Sequence, residues 1–216
     1  MRFIASTTIA ATLALTAATS HADVVKLDSF AYGPAPTLNV STLGFAVQAG
    51  EFSGTRDGNA FLTFCTDLLQ SFNFGVTYTN YSSVPGATGF GAKSTDMDHA
   101  LSYFMTSGYL TNASTSATAQ AAIWEILYET GSNYGFSSGG FKASSSDGAT
   151  QTALNNFDWS ALEATPISYH VDRLYSSTNQ DFLTVSRVPE PSSLGLVAAA
   201  LLGLVTVGRR RSKSRA

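Results

Sequence analysis

From residue 24 to residue 81 the chain alternates short apolar runs with Gly, Pro, Asn and Asp: VVKL, TLNVSTLGFAV, GEFSG, AFLTFCTDL and VTYTNY. Runs of this length, rich in β-branched and aromatic residues and separated by turn formers, predict strands and hairpins. The period then changes. Met97, Leu101, Phe104 and Met105 stand at i, i+4, i+7 and i+8, Thr95 and Asp98 have capping-box spacing, and Gly108 supplies a stop, so this stretch predicts an amphipathic helix. Ala119, Ile123, Ile126 and Leu127 repeat the spacing ahead of Gly131 and predict a second helix. The Gly- and Ser-rich stretch GSNYGFSSGGFKASSSDGA is expected as an exposed loop, residues 149–162 as a short helix, and ISYHVDRLYSS and DFLTVSRV as closing strands. No segment repeats another, which argues against a solenoid. The expected fold is mainly β (α+β): a β-sandwich or barrel-like domain over residues 23–187 with a small helical insertion.

Both ends depart from this pattern. Arg2 precedes an apolar, small-residue stretch from Phe3 to Ala18, and Ser20 and Ala22 occupy small-residue positions before a cleavage point. That order predicts a secretory signal peptide over residues 1–22, with Asp23 as the mature start and signal peptidase and the secretion machinery as partners. At the other end, Ser192 to Gly208 is an uncharged run of 17 residues followed by Arg209, Arg210, Arg211, Lys213 and Arg215. Its length is at the lower limit for a single transmembrane helix, and the arginines would hold its end in the cytoplasm with the body outside.

The segment before that run is VPEPSS. Pro189, Glu190 and Pro191, the apolar run and the terminal arginines together resemble the PEP-CTERM sorting signal of exported bacterial proteins over residues 188–211, and the whole tail, residues 188–216, is read as that signal. The resemblance implies recognition by an exosortase and cleavage near the Pro-Glu-Pro triplet. The chain would be held in the inner membrane before processing, then routed to the cell surface or an exopolysaccharide matrix. Paired prolines keep the triplet extended and outside the following helix, as entry into a protease cleft requires.

Charge narrows the partners. The formal net charge is −3, but residues 23–188 hold six Lys and Arg against fourteen Asp and Glu, a net −8, while the end of the tail is strongly positive. An acidic exported body disfavours nucleic acid. It is rich in Ser, Thr, Gly and Asn, as extracellular β-rich surfaces are. Its Phe and Tyr rings serve either the core or a carbohydrate-binding face.

The chain has one cysteine, Cys65, in its most apolar strand. An exported lone cysteine is a buried inert thiol, an intermolecular disulfide partner or a reactive group. Phe64-Cys65, then Gln120 with Ala122, Ile123 and Trp124, then Gln180 with Leu183, together resemble the motifs of thioester domains in bacterial surface adhesins. Thr66, Ala119 and Asn179 stand where those motifs usually carry an aliphatic residue, a threonine and an apolar residue. The resemblance implies an internal thioester between Cys65 and a glutamine, formed with loss of ammonia and able to acylate a surface amine. Gln180 is the first choice of partner and Gln120 the alternative. Gln120 shares a helix face with Trp124, so both are placed to support or cover the bond.

The remaining polar residues suggest less chemistry. His99 and His170 lack metal-ligand spacing and are expected at the surface or a helix end. Asp96 and Asp98 suit the first turn of their helix, and Glu125 and Glu129, at i and i+4, a solvated edge. No nucleophile elbow, phosphate loop or dinucleotide fingerprint is present, so no cofactor or metal is implied and a secreted hydrolase is disfavoured. The sequence therefore points to a non-enzymatic surface or matrix protein. It is either an adhesin-like module with a thioester or a structural, carbohydrate-binding matrix protein with an inert cysteine.

Overall fold

The structure, a computed structural model, describes residues 22–41 and 44–188. The signal-peptide segment up to residue 21, the Pro-Glu-Pro triplet, the apolar run 192–208 and the terminal arginines lie outside the described residues. Among the described residues no helix is long and apolar enough to cross a membrane.

The domain is mainly β. Six antiparallel strands form one sheet: β1 (Asp23–Phe30), β4 (Phe52–Arg56), β5 (Asn59–Thr63), β6 (Thr77–Val84), β8 (Tyr169–Tyr175) and β9 (Phe182–Arg187), in the order β5-β4-β1-β6-β8-β9. A separate sheet joins β2 (Thr37–Val40), β3 (Phe45–Gln48) and β7 (Ala143–Ser145) in the order β3-β2-β7. The TLNVSTLGFAV run is thus a hairpin of this smaller sheet, and its third strand comes from a distant part of the chain.

The six-stranded sheet curls until its edges meet. Leu183 N–H donates to Phe64 O at 3.1 Å and Thr63 Oγ1 to Leu183 O at 2.6 Å. Cys65 and Phe182 form an antiparallel bridge, and Thr66 N–H donates to Asp181 O at 2.9 Å. Closure satisfies backbone groups that an edge strand leaves open, which produces the barrel-like form. The curl begins at an irregularity in β1 between Leu27 and Ser29, opposite β4. There the backbones approach so closely that a Cβ on Gly54 would lie 2.0 Å from Lys26 O, so only glycine fits. The β4–β5 turn is Asp57-Gly58, with φ of 51° and 78°, the pair of positive values that a two-residue hairpin turn of right-handed twist demands. Tyr81, Phe52, Phe72 and Phe182 pack inside the curl with ring centroids 5.1–5.9 Å apart along the chain of contacts.

Residues 86–164 form one insertion between β6 and β8. It carries a short helix α1 (Gly86–Gly89), α2 (Ser94–Thr106), α3 (Ala113–Tyr128), β7, α4 (Gly148–Asn155) and α5 (Trp159–Ala164). Helix α2 covers β8 and α5, and α3 lies between α2 and α4. Helix α3 starts with a capping box made by Asn112 and Thr115, and every residue from Ser116 to Ile126 is buried. The spacing of its apolar residues marks one face, but this helix has no solvent face over those turns.

Three local expectations need correcting. Thr95 and Asp98 form no capping box: α2 begins without a side-chain cap, because Asp98 accepts from Val171 N–H at 2.8 Å and pairs with His170 at 2.7 Å. Glu125 and Glu129 are not a solvated edge, being 0% and 7% exposed. Nor is the stretch that follows α3 simply an exposed loop, since Phe136 and Phe141 are buried and β7 lies within it. One cause explains the last two corrections. The Gly-rich chain folds back over α3, and the carboxylates receive its N–H groups: Glu125 from Gly135 at 2.7 Å, and Glu129 from Gly140 at 2.6 Å and Phe141 at 3.2 Å. These bonds hold the Glu129 pKa below its usual value, whereas burial lifts Glu125 to about 7.

Candidate functional site

The sheet closes where Cys65 lies. Residues 64–66 leave β5 and cross to the strand entering β9, so Cys65 and Gln180 are 115 residues apart in the chain yet adjacent in space. The Gln180 carboxamide nitrogen contacts Cys65 Sγ and donates to Asp67 O at 2.6 Å. The thiol itself points to the same Asp67 carbonyl at 2.7 Å. Thiol and amide therefore share one acceptor, which holds them side by side.

Gln120 meets the cysteine differently. Its Oε1 accepts from Cys65 N–H at 2.9 Å and its Nε2 donates to Cys65 O at 2.8 Å, with the side chain fully buried. The paired bonds imitate a strand partner and clamp the Cys65 backbone, leaving the sulfur to Gln180. Of the two candidate glutamines, then, the structure brings Gln180 to the sulfur and Gln120 to the main chain. Trp124, one helical turn on, is buried, and its indole N–H has no hydrogen-bond partner. It lies near enough to the sulfur to favour the thiolate, a smaller influence than burial. Tyr128, a further turn along the same face, accepts from Leu68 N–H at 3.0 Å. Helix α3 therefore meets the cysteine segment at residues 120, 124 and 128.

Other residues hold the partner strand, and sequence reasoning missed them. The Asp67 carboxylate accepts from Asp181 N–H at 2.7 Å and from Gln70 N–H at 2.8 Å. Tyr81 OH donates to Gln180 O at 2.7 Å. Asp181 is 1% exposed, accepts from Ser176 N–H at 2.6 Å and pairs with Arg173. Only the closeness of Asp67 to Cys65 in sequence hinted at a role. Tyr81 and Asp181 become legible only when the strand order is known.

Electrostatics keep the cysteine protonated. Burial raises the thiol pKa well above its usual value, and the nearby Asp67 charge raises it further. Cys65 is 3% exposed, yet a pocket of about 380 Å³ opens beside it and Gln180, walled by Phe30, Phe52, Phe72 and Phe74. The arrangement can therefore hold a sulfur and a carboxamide in contact, exclude most water and still offer a path for a small group.

His170 is exposed and paired with Asp98, and the His99 ring contacts Thr165 O at 2.7 Å, so neither histidine reaches the cysteine. Asp96 contacts Tyr134 OH.

No curated protein and no solved structure matches the chain. The family model that matches is the PEP-CTERM protein-sorting motif, over residues 187–211. The chain thus carries, at residues 187–211, the sorting motif of an exosortase substrate, which implies export, a membrane-anchored signal before processing, and exosortase as the processing partner.

Proposed function

We propose that the exported body is a surface-attachment module in which Cys65 and Gln180 form an internal thioester. The observation that carries this reading is the contact of the Gln180 carboxamide with Cys65 Sγ at the closing seam of the barrel. In bond formation, Cys65 sulfur adds to Gln180 Cδ, the C–N bond breaks, and the nitrogen leaves as ammonia with the thiol proton. Ammonia is the only product besides the cross-linked chain. A primary amine reaching the pocket then adds to the same carbon. The C–S bond breaks, the amine proton passes to sulfur, and an amide and the free thiol remain.

Burial serves both steps. A cysteine with a raised pKa is a poor leaving group until a proton accompanies it, and dry surroundings slow hydrolysis. Trp124, buried beside the sulfur, supports and covers the bond. Gln120 positions the cysteine through its backbone. Each molecule acts once, so the module is an attachment device with no turnover. The PEP-CTERM tail delivers it to the cell surface or the surrounding matrix, where amine-bearing targets are encountered.

Methylamine tests the reading. The native protein should leave Cys65 unlabelled by iodoacetamide. Methylamine should place an amide adduct on residue 180 and release a Cys65 thiol that is labelled once the protein is unfolded. A protein that gives no adduct, with a Cys65 thiol already free on unfolding before treatment, has an inert core cysteine and a structural role in the matrix.

A further inference from the structure

A second cleft, of about 830 Å³, lies away from Cys65, between the smaller sheet, the Gly-rich loop and α4. Its lining includes Phe136, Phe157 and Trp159 as aromatic groups and Gln151, Asn155 and Lys142 as polar ones. The Trp159 ring sits 4.8 Å from Phe157 and 5.2 Å from Phe136, centroid to centroid. Tyr134 packs on the same indole at 5.4 Å; Phe136 and Phe157 are buried and Trp159 is half-buried, so of the three lining rings Trp159 is the braced one that remains partly open.

The walls are fixed in advance. The loop bearing Gly135 and Phe136 is tied to α3 through Glu125 and Glu129, and Ala143 N–H donates to Phe136 O at 3.0 Å. Gln151 accepts from Ser145 N–H at 2.8 Å and donates to Asn155 Oδ1 at 2.8 Å. That bond orients the Asn155 amide so that its NH₂ group, which has no acceptor among the described residues, remains available. Lys142 is likewise the one cation among the described residues whose charged group makes no ion pair, hydrogen bond or ring contact.

We infer that this cleft is a glycan-binding site for a neutral hexose chain. A flat ring braced from behind stacks on the C–H face of a pyranose, and carboxamides with an ammonium supply the mixed donors and acceptors that hydroxyl groups need. The volume lies within the range of small-ligand sites and accommodates a few sugar rings. An acyl chain does not suit a rim of amides, and a polyanion does not suit one lysine on a body of net charge −8. The inference does not depend on the thioester, and its failure would leave that reading untouched.

The test is calorimetric titration of the mature chain with short neutral hexose oligosaccharides and with an oligouronate of equal length. Binding of at least one neutral oligosaccharide is expected, about tenfold weaker in Trp159→Ala. In Asn155→Ala, where the side chain is exposed and the fold is not at stake, roughly threefold weakening is expected. Absence of neutral-glycan binding, tighter binding of the oligouronate, or affinity unchanged by both substitutions would overturn the inference.

Discussion

Opening the Cys65–Gln180 link with methylamine is expected to destabilise the folded domain by about 4–5 kcal/mol, the chain-entropy value for a cross-link closing a loop of on the order of 100 residues. The two residues are 115 apart in sequence, so the proposed link would remove much of the unfolded chain's freedom. It would also lie where the sheet edges meet, so its loss would expose the seam to opening. For a domain of this size the change corresponds to a fall in Tm of roughly 10 °C or more. Denaturant unfolding of the same preparation before and after methylamine measures it with no change of sequence. Equal stability in the two samples would mean that no covalent bond had been cut.

Gln120→Ala is expected to cost on the order of 2–5 kcal/mol, because it leaves the buried N–H and C=O of Cys65 without partners, each at about 1–3 kcal/mol. Both bonds are short and the side chain is fully buried, so water cannot readily replace them. The variant also separates the roles of the two glutamines. Whatever fraction of Gln120→Ala folds should still lose ammonia, whereas Gln180→Ala should retain its full sequence mass while keeping the Cys65 backbone paired. If Gln120→Ala were as stable as the parent, the clamp would not be a structural element. Urea titration followed by far-ultraviolet circular dichroism distinguishes the outcomes.

Much of this was legible in the sequence for physical reasons that can be named. The strands from Val24 to Tyr81 announce themselves because each is short, β-branched and bounded by turn formers. The tail carries apolar length, charge and two prolines in one order. The meeting of Cys65 with Gln180 was legible only as a resemblance to a motif, since no local property of residue 180 points to residue 65. That proximity follows from the order β5-β4-β1-β6-β8-β9, whose first and last strands meet, and single-chain periodicity does not encode strand order.

The failures share a cause. Glu125 and Glu129 have the spacing of an exposed face, and only the return of a glycine-rich segment with N–H groups to satisfy makes that face an interior. Asp98 has the spacing of a cap, but a strand arriving some seventy residues later takes its carboxylate. In each case a polar side chain found a distant backbone partner that outweighed its local preference.

The most direct measurement of the central claim is the intact mass of the folded, mature body. The account predicts a mass lower than that of its sequence by one ammonia, with the deficit absent in Cys65→Ala and in Gln180→Ala. The full unmodified mass, with a free Cys65 thiol released on unfolding, would contradict it.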